Sequence, residues 1–212
     1  MKKLELRKTY KHLYQPSARK VEIVDVPDLS FLMVDGRIEK GKSPGDSPAF
    51  LQAVQALFGA SYTLKFQSKL RKKNPIDYPV MAREALWWVE DGEFELSRPD
   101  NWSWRAMMMQ PEHITSGMLG EALEQLRKKK PSPGLDRLRL ERFAEGLCVQ
   151  TMHIGPYSEE PATVERLRAF AAANGYTFAN QHHEIYLSDP RRCAPAKMKT
   201  VLRHGVEKRQ PV

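Results

Sequence analysis

The stretch that decides the fold prediction reads Gln181-His182-His183-Glu184-Ile185-Tyr186-Leu187-Ser188-Asp189-Pro190. Side chains alternate between the two faces of a β-strand. Ile185 and Leu187 therefore share one face, which requires a hydrophobic core, whereas Glu184 and Tyr186 share the other. A carboxylate and a phenol thus point away from that core, either into water or into a pocket. The function depends on which of these two environments surrounds them.

The composition is that of a globular protein. The chain has 212 residues, of which 41% are hydrophobic and 28% are charged, and these are ordinary fractions. Its longest apolar runs are too short to cross a bilayer, and no apolar segment follows the basic N-terminus as it would in a signal peptide. The two cysteines, Cys148 and Cys193, lack the spacing of a zinc site and predict no disulfide. We therefore expect a cytoplasmic protein.

The net charge of +8 and the pI near 9.5 permit an anionic partner. The basic residues occur in three clusters, at 65–73, 127–130 and 191–192. Lys and Arg suit the C-terminal ends of helices, and no zinc-finger or helix-turn-helix signature is present. We favour solvated helix ends over a nucleic-acid surface, and we expect no membrane partner. Monomer and homodimer both stay open.

Two segments of the chain follow the same order of elements. Leu32–Gly36 reads as a buried strand, and a loop and an amphipathic helix beginning at Pro48 come after it. Thr151–Tyr157 is likewise followed by a loop and a helix near Pro161. Further strands come after each helix. This order indicates an internal duplication of strand–helix–strand–strand units.

The duplication predicts an α+β fold, in which helices cover one face of an antiparallel sheet and a ligand cleft lies on the other. Residues 1–26 would form an N-terminal arm. Residues 27–212 would form a single domain of two pseudo-repeats, at about 27–98 and about 99–212.

Three local patterns give testable element predictions. Ser47 has the properties of an N-cap, and the helix after it would direct one stripe to the core: Phe50, Leu51, Val54, Leu57 and Phe58. Tyr78–Ala82 reads as a strand. The segments Leu138–Phe143 and Leu147–Ile154 read as a hairpin that turns at Glu145-Gly146.

Aromatic residues and a second carboxylate are placed to line the predicted cleft. Strand alternation puts Glu84 and Trp88 on one face and Trp87 on the other, so one tryptophan can pack in the core while its neighbour lines the cleft. The alternative, that both tryptophans are structural, stays open because large aromatics are usually well buried. Met107–Met109 fit a core, although thioethers also suit a pocket for flat ligands.

Glu184 has two possible roles. In an apolar pocket, burial penalises its charge, which would make it a counter-ion for a cationic ligand or a general base for water. The alternative is a surface carboxylate bonded to Arg191 or Arg192. His153 is expected to be a structural hydrogen-bonding group, and His182 and His183 point to opposite faces of the strand, so they cannot chelate one ion. We expect no metal and no cofactor.

Together these residues resemble the GyrI-like small-molecule-binding family, which is related to the effector-binding domains of AraC-type and MerR-type regulators. The resemblance rests on five motifs: Tyr62-Thr63-Leu64-Lys65-Phe66, Asp77-Tyr78-Pro79-Val80, Glu84-Ala85-Leu86-Trp87-Trp88, His153-Ile154-Gly155-Pro156-Tyr157 and His183-Glu184-Ile185-Tyr186-Leu187-Ser188-Asp189-Pro190. It implies a duplicated fold with a central cleft that takes planar, hydrophobic and often cationic small molecules. Some stand-alone members of the family are similar to hydrolases of cyclopropane-bearing DNA-alkylating antibiotics.

The resemblance implies a role for each candidate residue. Glu184 and Tyr157 are the catalytic candidates. The ligand-binding candidates are Glu84, Trp87, Trp88, Met108, His153 and Tyr186. Three functions stay open: a cyclopropanoid hydrolase, a drug-binding or sensor protein without turnover, and a module that binds nucleic acid or protein through its basic clusters. The affinity of such a nucleic-acid-binding module would fall steeply as the salt concentration rises.

Overall fold

The computed structural model describes residues 1–179 and 181–209, and it has the predicted α+β fold of helices and largely antiparallel strands. The strands are β1 (Lys2–Lys3), β2 (Glu22–Arg37), β3 (Ile76–Asp77), β4 (Arg83–Trp88), β5 (Ser103–Gln110), β6 (Arg139–Ile154), β7 (Tyr176–Phe178), β8 (His182–Tyr186) and β9 (Lys199–Lys208). The helices are α1 (Leu6–Thr9), α2 (Lys11–Tyr14), α3 (Pro48–Leu70), α4 (Ser116–Lys129) and α5 (Glu160–Ala173).

The chain divides into two compact units. The first contains Met1–Thr9 and Leu29–Phe143, and the second contains Tyr10–Asp28 and Ala144–Val212. The unit boundary therefore falls near residue 143, and part of the predicted arm belongs to the second unit. The division into two pseudo-repeats near residue 98 stays a prediction. Within the described residues, no helix has both the length and the apolar character needed to cross a bilayer.

In the first unit, β5 pairs antiparallel with both β2 and β4. Helix α3 packs against β5 and α4, and the Ser47 side chain caps it by accepting a hydrogen bond from the Phe50 amide. The predicted core stripe of α3 is correct at Phe50 and Leu57, but Leu51 and Phe58 are 44% and 38% exposed. The buried face instead continues through small residues, which let the helix approach the sheet closely: Ala53, Ala56, Ala60 and Ser61.

The predicted strand Tyr78–Ala82 is wrong, because strand β4 begins only at Arg83. Pro79 has no backbone N–H to give to a ladder of hydrogen bonds, so it disfavours a strand at this point. Tyr78 is nevertheless buried. Burial raises the pKa of its phenol well above the ordinary value.

A close contact in the first unit explains why a glycine stands in β2. Gly36 lies opposite Trp104 of β5, and a Cβ at Gly36 would come within 2.3 Å of the Trp104 ring. Trp104 is fully buried, so its ring has little room to move. We expect Gly36→Ala to lower the free energy of unfolding by about 1–3 kcal/mol, the usual cost of overpacking a core. Urea denaturation measures this loss.

A matched control for this substitution lies in α4. Among the described residues outside the neighbouring backbone of α4, no heavy atom lies within 4 Å of the position that a Cβ at Gly120 would take. Ala favours a helix interior over Gly by about 1 kcal/mol. Gly120→Ala should therefore leave stability unchanged or raise it. An equal loss of stability in both variants would contradict the steric explanation for Gly36.

The second unit is built around β9, which pairs antiparallel with β6, β7 and β8. The predicted hairpin at Glu145-Gly146 is wrong, since β6 runs without a break from Arg139 to Ile154. Gly146 has a positive φ of 71°, the backbone conformation that glycine adopts in a β-bulge. The glycine therefore marks an irregularity within the strand and not a reversal of the chain.

The N-terminal segment of the second unit is fixed by buried side chains that donate to its carbonyl groups. Thr151 Oγ1 lies 3.0 Å from the carbonyl oxygens of both Ser17 and Lys20, which share its single hydroxyl proton. Arg203 Nη2 donates to the Leu13 carbonyl at 2.7 Å. Leu13 is fully buried. The bond from Arg203 therefore gives the Leu13 carbonyl a partner within the protein.

Candidate ligand-binding and catalytic site

Strand β8 is buried on both of its faces. Ile185 is fully buried, as predicted, and Glu184 is only 6% exposed. The alternative of a surface carboxylate bonded to Arg191 or Arg192 is wrong, because Glu184 is buried, and Arg191 Nη2 instead pairs with Asp189 at 2.9 Å. Glu184 is thus a buried carboxyl group on the face of β8 that the alternation predicted.

A chain of two imidazoles ends on Glu184. His182 Nε2 lies 3.1 Å from Glu184 Oε1, and His182 Nδ1 lies 2.9 Å from His204 Nε2. An ionised carboxylate can only accept, so with Glu184 ionised the Nε2–H of His182 is the donor. Burial, and then the nearby His182, lower the pKa of His204 well below its ordinary value. His204 is therefore neutral at physiological pH, and its ring stacks on Phe178 at a centroid distance of 4.1 Å.

Glu160, in the first turn of α5, is a site residue that the sequence does not reveal. It is 2% exposed. Burial, and then the charge of Glu184, raise the pKa of Glu160 to about 10, against a smaller opposite effect of its bond to Thr200. An acidic residue at a helix N-terminus is ordinarily explained by the helix dipole. Only the packing of α5 against β9, the strand that pairs with β8, shows that this one lies near another carboxyl group.

These groups form a set of possible metal ligands. Glu160, His182 and Glu184 each offer one ligand atom, and the three atoms lie within 4.8 Å of one another. Sequence alone does not reveal the carboxylate pair, because Glu160 and Glu184 are far apart along the chain. The pairing of His182 with Glu184 follows from their spacing of two along one strand. His183 lies on the opposite face and bonds to a different carboxylate, Glu145, at 3.0 Å.

Two predicted site residues form an aromatic pair in the same unit. The rings of Tyr157 and Tyr186 lie 5.9 Å apart and edge to face. Tyr157 is 38% exposed, and Tyr186 is half-buried. Partly exposed tyrosine rings offer apolar faces on which a flat ligand can stack. Their roles in catalysis and binding stay predictions.

His153 makes the structural hydrogen bonds that were expected of it. Its Nε2 donates to the Pro156 carbonyl at 3.2 Å, and its Nδ1 lies 2.9 Å from the Thr163 hydroxyl. The ring therefore connects the turn after β6 to helix α5. A groove of about 610 Å³ opens beside it, and Glu159 and Arg166 also line this groove. A ligand contact from His153 stays a prediction.

The remaining predicted residues belong to the first unit. Trp87 is buried, and its ring packs against Phe50 at 4.9 Å and Trp102 at 5.2 Å. Met108 is also buried, as is Glu84. Trp88 is half-buried, and its Nε1 donates to Glu90 at 3.0 Å. Trp87 therefore packs in an aromatic core, whereas a cleft lined by Glu84 and Trp88 stays a prediction. A cleft shared with Glu184 stays a prediction.

Comparison with known proteins gives the family. The model of the GyrI-like small molecule binding domain matches residues 109–204. A solved structure described as a hydrolase encoded by lin2189 from Listeria innocua is 40% identical, with a TM-score of 0.86, and the match covers 97% of this chain and 100% of that chain. A second hydrolase from Listeria innocua is 37% identical, with a TM-score of 0.83 and coverage of 98% and 100%. The chain belongs to the GyrI-like small-molecule-binding family.

A more distant structure supports the fold alone. The EcmrR C-terminal domain is 12% identical, with a TM-score of 0.52, and the match covers 89% of this chain and 98% of that chain. No curated protein matches the chain significantly. These similarities therefore establish the family, the α+β fold and the presence of a small-molecule-binding domain.

Proposed function

We propose that this protein binds flat, hydrophobic small molecules and hydrolyses cyclopropane-bearing DNA-alkylating agents, with Glu184 as the general base. The observation that carries the proposal is the burial of Glu184, which is 6% exposed and bonded to His182 at 3.1 Å. A buried carboxylate bonded to a neighbouring imidazole is held in a fixed orientation, in which it can accept a proton from a water placed beside it. The hydrolases from Listeria innocua, at 37% and 40% identity, are consistent with a hydrolytic reaction.

The chemistry needs only water and the strained ring. A water molecule gives a proton to Glu184 while its oxygen bonds to a cyclopropane carbon. The ring C–C bond breaks, its electron pair moves into the rest of the molecule, and that part takes up a proton, so one water is added overall. His182 orients the carboxylate during the transfer. Tyr157 and Tyr186 would supply aromatic contacts to the flat ligand.

The direct test is to incubate the purified protein with a cyclopropane-bearing DNA alkylator and to follow the products by mass spectrometry. We expect a product that is heavier by one water, formed over many turnovers, and DNA alkylation should fall in parallel. The matched control compound is an analogue whose ring has already been opened. An intact cyclopropane after prolonged incubation with stoichiometric protein would reject the hydrolase proposal.

Binding without turnover is the second candidate, and the match to a small-molecule-binding domain favours it. In that case Glu184 is a counter-ion for a cationic ligand. Titration with planar dyes, followed by tryptophan fluorescence, separates the two candidates. Saturable binding of cations together with no ring-opened product would support sequestration, whereas product formation would exclude it as the whole function.

A further inference from the structure

The cluster of Glu160, His182 and Glu184 combines two carboxylates and one imidazole in a buried place. Their exposed fractions are 2%, 2% and 6%. One ligand atom from each residue lies within 4.8 Å of the others. Rotation of the side chains can close this spacing onto a single ion, for which bonds to nitrogen and oxygen are about 2.0–2.2 Å long.

A second observation points to a ligand at this cluster. Glu160 Oε1 has no hydrogen-bond partner among the residues that the structure describes, although the atom is buried. A buried polar atom without a partner costs about 1–3 kcal/mol. Two neighbouring buried carboxylates also repel each other unless a cation or a proton lies between them. A cation at the cluster would satisfy the Glu160 oxygen and remove the repulsion together.

The contacts around His182 suit a metal ligand. A metal-bound histidine almost always gives its other ring nitrogen to a hydrogen bond, which fixes the orientation of the ring. His182 has this arrangement, because its Nδ1 lies 2.9 Å from His204 Nε2 while its Nε2 faces Glu184. The imidazole also discriminates between ions, since Mg²⁺ and Ca²⁺ prefer oxygen ligands alone and first-row transition ions accept mixed nitrogen and oxygen sets.

We propose that Glu160, His182 and Glu184 bind one divalent transition-metal ion of the zinc or manganese class. This site goes beyond the proposed hydrolysis, because ion binding needs no substrate and no turnover. A carboxylate bound to the ion through one oxygen keeps its second oxygen as an acceptor, so ion binding at the cluster leaves Glu184 able to act as the general base proposed above.

Calorimetric titration of chelator-treated, full-length protein with Zn²⁺ and with Mn²⁺ tests the site. We expect at least one of the two ions to bind with a stoichiometry of one per chain. Glu160→Gln removes one carboxylate ligand while preserving its shape, and it should weaken binding by at least about tenfold, the loss typical of damage to a metal site. The matched control is Glu165→Gln, the same change at an exposed position of the same helix, which should leave the affinity unchanged.

Two outcomes overturn the inference. One is a wild-type protein that binds neither ion at millimolar concentration. A proton shared by the two carboxyl groups, and not a cation, would then relieve their repulsion. The other is equal affinity in the wild type and Glu160→Gln, since the ion then binds elsewhere; circular dichroism confirms that the variant is folded. Ring opening by metal-free protein with no ion binding would refute only the inference, whereas ion binding without ring opening would refute only the proposed function.

Discussion

Replacing Glu184 with Gln is expected to lower the rate of cyclopropane opening by about 10²–10⁴-fold, the usual contribution of a general base. Glutamine keeps the size of the side chain and still offers an oxygen to His182, which lies 3.1 Å from Glu184 in the wild type. It cannot take a proton from water. Single-turnover kinetics should therefore show a slow chemical step, while the dissociation constant for an uncharged ligand changes little.

The matched control for this substitution is Glu207→Gln, which makes the same change at an exposed position on β9. It should react at the wild-type rate. If Glu184 is only a counter-ion, Glu184→Gln weakens the binding of cationic dyes and leaves any reaction of neutral substrates intact. Wild-type turnover in Glu184→Gln would remove this carboxylate from the mechanism.

The alternation of side chains along β8 is enough to predict the orientation of Glu184. Its burial is not predictable from this pattern, because a carboxylate beside a core can face water equally well. The contact of Glu160 with this cluster is not predictable from the sequence. Glu160 becomes a site residue only because α5 packs against the sheet of the second unit, where β9 brings Thr200 within bonding reach. No local pattern reports such a contact between a helix and a sheet.

Two errors in the fold prediction each have a physical cause. Glu145-Gly146 reads as a turn because glycine with a polar neighbour usually marks one. In the structure the polar neighbour is buried in an ion pair, and the glycine only bends the strand. The predicted face of α3 is wrong in part because it gives bulky residues more weight than small ones. Ala53 and Ala60 are buried and allow close packing, whereas Phe58 is exposed.

Replacing Glu145 with Gln is expected to lower the free energy of unfolding by about 3–5 kcal/mol, the cost of breaking a buried ion pair from one side. Glu145 accepts hydrogen bonds from Arg203 Nη1 at 3.1 Å and from His183 Nδ1 at 3.0 Å. All three side chains are at most 3% exposed. The variant leaves a buried guanidinium without its carboxylate. Urea denaturation measures the loss, and Glu141→Gln, in an exposed pair with Arg139, should cost at most about 1 kcal/mol.

The acid dependence of stability gives an independent check on Glu145. Burial alone would raise the pKa of Glu145, but the charges of His183 and Arg203 outweigh burial and hold it at about 2. Because the folded-state pKa lies below the unfolded value of about 4.3, this carboxylate stabilises the fold fully above that value and progressively less as the pH falls towards 2. The difference in unfolding free energy between the wild type and Glu145→Gln should therefore shrink over this interval. A difference that stays constant down to pH 2 would mean that Glu145 stabilises the protein by its shape and not by its charge.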